Sequence, residues 1–346
     1  CPQGTQLVFS PSGTDIHTLF AAQLPTRALV IMIEGCETGS GVVQALTRAG
    51  NNVEIVALTL RTFNTQPLTK EEIDAQASVY VNEAIARGQH AALILVDQSK
   101  TGMIAPSPAC VLTLKARYGD KLSVFVDACQ FRLSAKTLTA YLEKGFIVAA
   151  TGSKFLSAPS FSGMVFLPPK MPFHLAPAAV NWGLLARMEV ALMQYRAFSV
   201  LSNEKIAAII TDFSQVISHY IAHSPTFSAL PTPALTREGL GVDANTWDTM
   251  PTLFPFILYK NQRPLSRAQT RVCYQQLPLQ ALPCQIGQPV ACGEIEGIEV
   301  SALRFCLSTN IITQATQSTY HHNQLIYNML RVFASIENIV ASALIE

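Results

Sequence analysis

Leu122-Ser123-Val124-Phe125-Val126-Asp127-Ala128-Cys129-Gln130 and, one helical pattern later, Phe146-Ile147-Val148-Ala149-Ala150-Thr151-Gly152-Ser153-Lys154 decide the fold. Each stretch is apolar on consecutive positions and then turns abruptly polar. A strand that is apolar without alternation is buried on both faces, as inside a parallel sheet covered by helices. The polar residues then fall just beyond the carboxyl ends of the strands, where open α/β sheets place their ligands.

Outward from this pair, the runs Ala28–Ile33, Val53–Leu58, Ala91–Val96 and Met164–Leu167 share its texture. Helical patterns lie between them near 15–23, 39–49, 71–87, 108–117 and 134–143. Strands joined in this way predict the α/β class, a mainly parallel sheet sandwiched by helices. Pro168-Pro169-Lys170-Met171-Pro172 closes this part. Two long helical patterns follow, about 178–199 and 204–222. Beyond Pro225 the texture changes. Prolines 231, 233, 251 and 255 accompany a strand Leu253–Leu258, a helix near 265–276, a strand Glu299–Leu307 and a last helix from about 312 to 341. The expected organisation is a large domain over 1–175, connecting helices over 176–224, and a smaller C-terminal α+β domain over 225–346.

At 346 residues, 49% of them hydrophobic, the chain can bury a core of this size. With 14% charged residues and a formal net charge of +1, it has no basic footprint for nucleic acid. No apolar run reaches the roughly 18 residues that span a bilayer, so no membrane partner is expected. The eight cysteines form no C-x-x-C pair and no His lies at a zinc-ligand interval, so no metal is expected. Scattered thiols read as those of a reducing compartment, hence a cytoplasmic protein. The chain opens Cys1-Pro2-Gln3-Gly4 without an initiator Met, so residues upstream, with room for a targeting segment, are an expectation.

Four segments fall where the sheet should present chemistry. Ser10-Pro11-Ser12-Gly13-Thr14-Asp15 opens a helix, whose free backbone N–H groups and the Thr14 hydroxyl suit an anion; an ordinary N-cap is the plainer reading. Asp127 ends an apolar strand and, desolvated there, needs a cation or a neighbouring loop's backbone. Of the ten lysines, Lys154 follows an apolar strand most directly, crowded by small and hydroxyl residues. A lysine in such a pocket loses pKa and becomes nucleophilic toward a carbonyl, whereas most lysines are simply exposed. Thr151 and Ser153 beside it could hydrogen-bond a phosphate. The fourth segment, Asp97-Gln98-Ser99-Lys100-Thr101-Gly102, offers Ser99 and Thr101 to line a cofactor, and Lys100 as a rival nucleophile.

Together, in this order, the segments resemble the fold-type I pyridoxal-phosphate (PLP) enzymes, most closely the class V aminotransferase and cysteine desulfurase branch. The match runs Ser-Gly-Thr (12–14), a polar segment ending in Gly (Ser99–Gly102), Asp-x-x-Gln (Asp127 to Gln130) and Thr-x-Ser-Lys (Thr151 to Lys154). The resemblance implies the aspartate-aminotransferase-like fold and PLP as cofactor. It implies that Gly13 and Thr14 bind the phosphate, with Ser153, and that Asp127 pairs with the pyridine nitrogen. Gln130 would contact the phenolic oxygen and Lys154 would hold the cofactor covalently. Asn181-Trp182-Gly183-Leu184-Leu185-Ala186-Arg187 looks like the family's helix after the lysine. Arg304, in Ala302-Leu303-Arg304-Phe305-Cys306, resembles its arginine for a substrate carboxylate, the guanidinium fork matching two oxygens; a surface arginine is the alternative.

Three departures stand out. Ser153 occupies a place where many relatives have His. The stretch Glu34-Gly35-Cys36-Glu37-Thr38-Gly39-Ser40-Gly41 has no aromatic to cover the ring, leaving Glu37 or Thr38. Relatives also carry more chain ahead of Ser12. The reaction expected is that of an aminotransferase-like enzyme on a small amino acid or amine, with the protein a homodimer. The alternatives are a Cβ–S lyase or desulfurase using Cys284 or Cys292, an amino-acid decarboxylase, and a non-catalytic relative.

Overall fold

The computed structural model describes residues 1–174, 180–342 and 345. The expected boundary between 175 and 176 and the expected helix start at 178 lie outside the described residues. The chain divides into two compact units, each described by itself. The first comprises Cys1–Leu60, Leu68–Arg196 and Ala234–Thr249; the second comprises Arg61–Pro67, Ala197–Pro233 and Met250–Glu346. The division therefore follows no single cut in the chain.

The first unit holds β1 (Gln6–Ser10), α1 (Gly13–Ala21), β2 (Leu29–Ile33), α2 (Val42–Thr47), β3 (Glu54–Leu58) and α3 (Lys70–Ala86). It continues with β4 (Ala91–Asp97), β5 (Ile104–Ala105), α4 (Pro108–Tyr118), β6 (Leu122–Asp127), α5 (Ala135–Glu143), β7 (Ile147–Thr151) and β8 (Gly163–Leu167). The sheet order is β1-β8-β7-β6-β4-β2-β3, with β5 paired to β4. The pairs β7–β6, β6–β4, β4–β2 and β2–β3 are parallel, whereas β8 runs antiparallel to both its neighbours. All residues of β2, β4 and β7 are buried, as unbroken apolar strands require. Helices α1, α3, α4 and α5 pack against this sheet. The α/β architecture expected from the sequence is thus present, and each predicted run in this half is a strand.

Strand β1 was not anticipated. Its exposed Leu7 and Phe9 break the apolar-run signature, because it is an edge strand with one neighbour, β8. Gly163 explains the closure of that edge: it pairs with Ser10 on one side and Thr151 on the other. A Cβ there would lie 2.7 Å from the Ser12 carbonyl oxygen, so only glycine lets the turn into α1 settle onto β8.

Helix α6 (Trp182–Ser199) follows, and α7 (Asn203–His223), β9 (Phe227–Ala229), β10 (Leu253–Lys260), β11 (Arg263–Pro264) and α8 (Arg267–Gln276) come next. The chain finishes with β12 (Gly287–Ile295), β13 (Ile298–Cys306), α9 (Thr309–Ala315) and α10 (Thr319–Ala341). The second unit's sheet is antiparallel, ordered β11-β10-β13-β12 with β9 on β10. Met329, Val332, Phe333, Ile336, Ile339 and Val340 form the buried stripe of α10, spaced for one helical face. Phe333 stacks with Tyr220 and meets Phe227, Phe256 and Phe305. The single last helix expected from 312 to 341 is two helices. Ser318 caps the second by accepting from the His321 N–H, which restarts the helix after Thr316. Strand β12 was missed because Gly287, Pro289 and Gly293 and two register shifts disguise its alternation.

Candidate active site

The parallel register places the sequence-derived residues along one edge of the first unit's sheet. Asp127 ends β6 and stands opposite Val96 of β4 and Ala149 of β7. Thr151 ends β7, and Ser10, two residues before Ser12, ends β1 on the far side of Gly163. Gly13 completes the approach: a Cβ on it would lie 3.0 Å from the Thr151 methyl and 3.1 Å from Cys129 Sγ. Thr14 in turn lies against Gly41 at the start of α2. The first N–H groups of α1 have no carbonyl within their own helix, and so end beside the strand tips of β6 and β7.

Asp127 is 5% exposed. Its Oδ1 accepts the Cys129 N–H at 3.0 Å, and its Oδ2 lies 3.2 Å from His17 Nε2 and accepts from Thr38 Oγ1 at 3.4 Å. Burial pushes the Asp127 pKa up. The nearby His17, the Lys154 charge and the bond from Cys129 outweigh it and hold the carboxyl well below the usual carboxylate range. Asp127 is thus an ionised carboxylate inside the protein. Asp127 was expected to meet a cation or a loop's backbone; the Cys129 N–H supplies the backbone bond, and the ring of His17, buried on α1, lies close by. That residue was missed, because a histidine among the apolar positions of an amphipathic helix reads as core.

Lys154 follows β7 by three residues, and its charge reaches Asp127. The Phe155 N–H returns to the Gln130 carbonyl at 3.4 Å, joining the two polar turns. The lysine is exposed, against the expectation of a crowded pocket. Phe155 and Leu156 take the interior instead, Phe155 stacking on Trp247 at 5.2 Å. Gln130 is buried and Ser153 half-buried. Thr151 donates its hydroxyl to the Cys129 carbonyl at 2.7 Å, leaving its oxygen able to accept.

Glu37, on the turn after β2, is 2% exposed and clasps the turn after β4. Ser99 Oγ donates to it at 2.8 Å, Thr101 Oγ1 at 2.6 Å and the Thr101 N–H at 3.0 Å. This clasp joins the strand tips at the point where the sheet order reverses, between β2 and β4. Lys100, the rival lysine, donates Nζ to the Cys36 carbonyl at 3.0 Å. Asp97 is held by both nitrogens of an Arg237 fork, at 2.7 and 2.8 Å, and by Tyr141 at 2.8 Å. With Trp247, that fork pins residues 234–249 back into the first unit. Gln98, beside them, is 2% exposed and its side-chain amide has no partner among the described residues.

No family model matches this chain, and no curated protein matches it in sequence. Solved structures do. A serine palmitoyltransferase from Sphingomonas wittichii is 12% identical with a TM-score of 0.59, over 96% of this chain and 73% of that one. A TDC from Oryza sativa, determined with PLP and tryptamine, is 10% identical with a TM-score of 0.60, over 97% of this chain and 69% of that one. The glutamate decarboxylase domain of a diaminobutyrate-pyruvate transaminase and L-2,4-diaminobutyrate decarboxylase from Vibrio parahaemolyticus is 12% identical with a TM-score of 0.56, over 97% and 69%. The fold is shared with these proteins. That is the architecture expected from the motif order, a PLP-dependent transferase fold.

Arg304 belongs to the second unit, on β13. It is 9% exposed and lies across Gly287 of β12, where a Cβ would come 2.3 Å from Arg304 Cγ. Its Nη1 donates to the Gln288 carbonyl at 3.0 Å, while Nε has no partner among the described residues. Cys292 is buried, its thiol 3.8 Å from the Val300 carbonyl, and burial raises the pKa of Cys284. Among the described residues, no group of three or more His, Cys, Asp or Glu could hold a metal ion, and no helix is long and apolar enough to cross a membrane.

Proposed function

We propose that this chain is a PLP-dependent enzyme acting at the amino group and Cα of a small amino acid or amine. The observation that carries the reading is an ionised, buried Asp127 on one strand end with the Lys154 amine in electrostatic reach on the next. The donor set fits the cofactor. Gly13 and Thr14 at the start of α1, with Thr151 and Ser153, suit a phosphate. Asp127 suits a protonated pyridine nitrogen, since a carboxylate accepts about four hydrogen bonds and three directions are engaged. Gln130 and Ser99 border the same strand ends. PLP, when bound, supplies the electron sink for the bond that breaks at Cα.

The chain's own contribution is placement and proton handling. Asp127, kept ionised, would face the ring nitrogen and favour a proton there. Lys154 would hold the cofactor and, once released by the incoming amine, carry the proton to or from Cα as base and acid. Lys100 is a poor substitute because its amine is engaged with Cys36. Arg304, on the second unit, is the residue that the resemblance puts forward for a substrate carboxylate.

Aminotransfer is the first reading, supported by the resemblance of the motif order to the class V branch. Decarboxylation is the second reading, favoured by the likeness to a glutamate decarboxylase domain. Sulfur transfer has less support, since burial works against a thiolate at Cys284. A homodimer is part of the proposal, supported by the apolar surface of α6, where Trp182 is 76% and Met193 59% exposed.

The test is an absorbance scan of the purified chain incubated with PLP. A band near the visible edge should vanish on borohydride reduction, leaving the cofactor's mass on the Lys154 peptide. Lys154→Ala should show neither. A mass found on the Lys100 peptide, or on no lysine, refutes the assignment.

A further inference from the structure

His17 faces Asp127 from inside α1, and the reading above gives it no part. Its ring makes two contacts, one at each nitrogen. Nδ1 lies 2.8 Å from the Gly13 carbonyl oxygen one turn back. A carbonyl only accepts, so Nδ1 carries a hydrogen. Nε2 is left toward Asp127 Oδ2 at 3.2 Å. A carboxylate also only accepts, and the 3.2 Å approach lacks hydrogen-bond geometry, so Nε2 has no hydrogen-bond partner among the described residues and bears on Asp127 by proximity. The ring is 1% exposed and edge-on to Phe125, with centroids 5.3 Å apart, so it has no room to turn toward water.

We propose that His17 is a positioning residue that holds Asp127 ionised and oriented, so that Asp127 can keep the pyridine nitrogen of the bound cofactor protonated. The proposal rests on the PLP reading and adds the residue on which its electrostatics depend. The other groups acting on Asp127 are Lys154, which is exposed and would be engaged with the cofactor, and the neutral buried thiol of Cys129. Thr38 and the Cys129 N–H supply hydrogen bonds without charge. Without His17, burial favours a proton on Asp127 itself, and a protonated carboxyl no longer holds one on the ring nitrogen. The same imidazole is bonded to Gly13, so it also ties the carboxylate to the first turn of α1.

The experiment loads the chain with PLP labelled with nitrogen-15 in the ring. The nitrogen chemical shift reports protonation of the ring, and a fluorescence titration gives the Kd for PLP. In the parent, the nitrogen should be protonated. His17→Phe keeps the ring's shape but neither the Gly13 hydrogen bond nor the Asp127 contact. Its shift should move to the unprotonated position and its Kd should rise about ten- to a hundredfold, the loss expected when a charged group is deprived of a polar partner. His17→Gln retains a donor for Asp127 and should fall between the two. A His17→Phe protein with the parent's shift and Kd overturns the proposal and leaves the PLP reading standing. A parent that takes up no PLP overturns both. If His17→Phe fails to fold, a parent-like shift in both His17→Gln and His17→Asn overturns it instead.

Discussion

The buried Asp127 carboxylate has an imidazole 3.2 Å away before any ligand arrives. That contact separates what was legible at single residues from what was not. Asp127 and Lys154 were readable because each follows an unbroken apolar run, and the run fixes its place at a strand end. His17 was not, since its significance depends on a residue far along the chain. Its only local signal is the spacing from Gly13 by one helical turn. Glu37 was read as a candidate cover for a cofactor ring, but its partners Ser99 and Thr101 lie on a turn that only the strand order brings near. The pairing at Asp127 has a pH consequence. A carboxyl whose folded pKa is depressed adds stability above its unfolded pKa, about 4, and loses it as pH falls below that value. Asp127→Asn should therefore cost about 2 kcal/mol at pH 7 in the cofactor-free protein. The gap between variant and parent should narrow as pH falls below about 4. Urea midpoints at several pH values test this; a gap that stays constant on acidification refutes it.

At the scale of elements, consecutive apolar runs gave the strands of the parallel sheet because a strand covered on both faces leaves no polar position to confuse the pattern. Edge and antiparallel strands were harder. β1 shows Leu7 and Phe9 to solvent, and β12 is interrupted by Gly287, Pro289 and Gly293. Sequence periodicity also could not show that residues 234–249 return to the first unit, since the anchors are a salt bridge from Arg237 to Asp97 and a stack of Trp247 on Phe155. The element that most directly shapes the candidate site is the junction of β8 with the turn into α1. A methyl on Gly163 would meet the Ser12 carbonyl oxygen at 2.7 Å and the Ser10 carbonyl oxygen at 2.9 Å, both backbone atoms that move only with the turn. Gly163→Ala should cost about 1–3 kcal/mol of stability, as overpacking does. It should also weaken PLP binding, because the displaced turn carries Gly13 and Thr14. Thermal melts and a cofactor titration read the two effects. A variant with the parent's melting temperature and affinity would show that the turn yields freely.

For the molecule as a whole, the balance of apolar and charged residues has a consequence that neither fold unit alone explains. With 49% hydrophobic and 14% charged residues, some apolar surface must remain outside the two cores. Much of it gathers on α6. That helix buries Leu184, Met188 and Ala191, yet on its other side Trp182, Leu185, Leu192 and Met193 are exposed. A helix that is apolar on opposite faces is one whose second face meets another surface. Isolated apolar side chains are ordinary on proteins, but a group this close on one helix is a mark of association. The proposed homodimer would bury it, by isologous contact if the pairing is two-fold. Trp182→Glu combined with Met193→Glu should then shift the mass measured by light scattering from two chains to one, while the circular dichroism spectrum stays that of the parent. A double variant that keeps the parent's mass would place the association elsewhere, and a parent that is monomeric at micromolar concentration would refute the dimer.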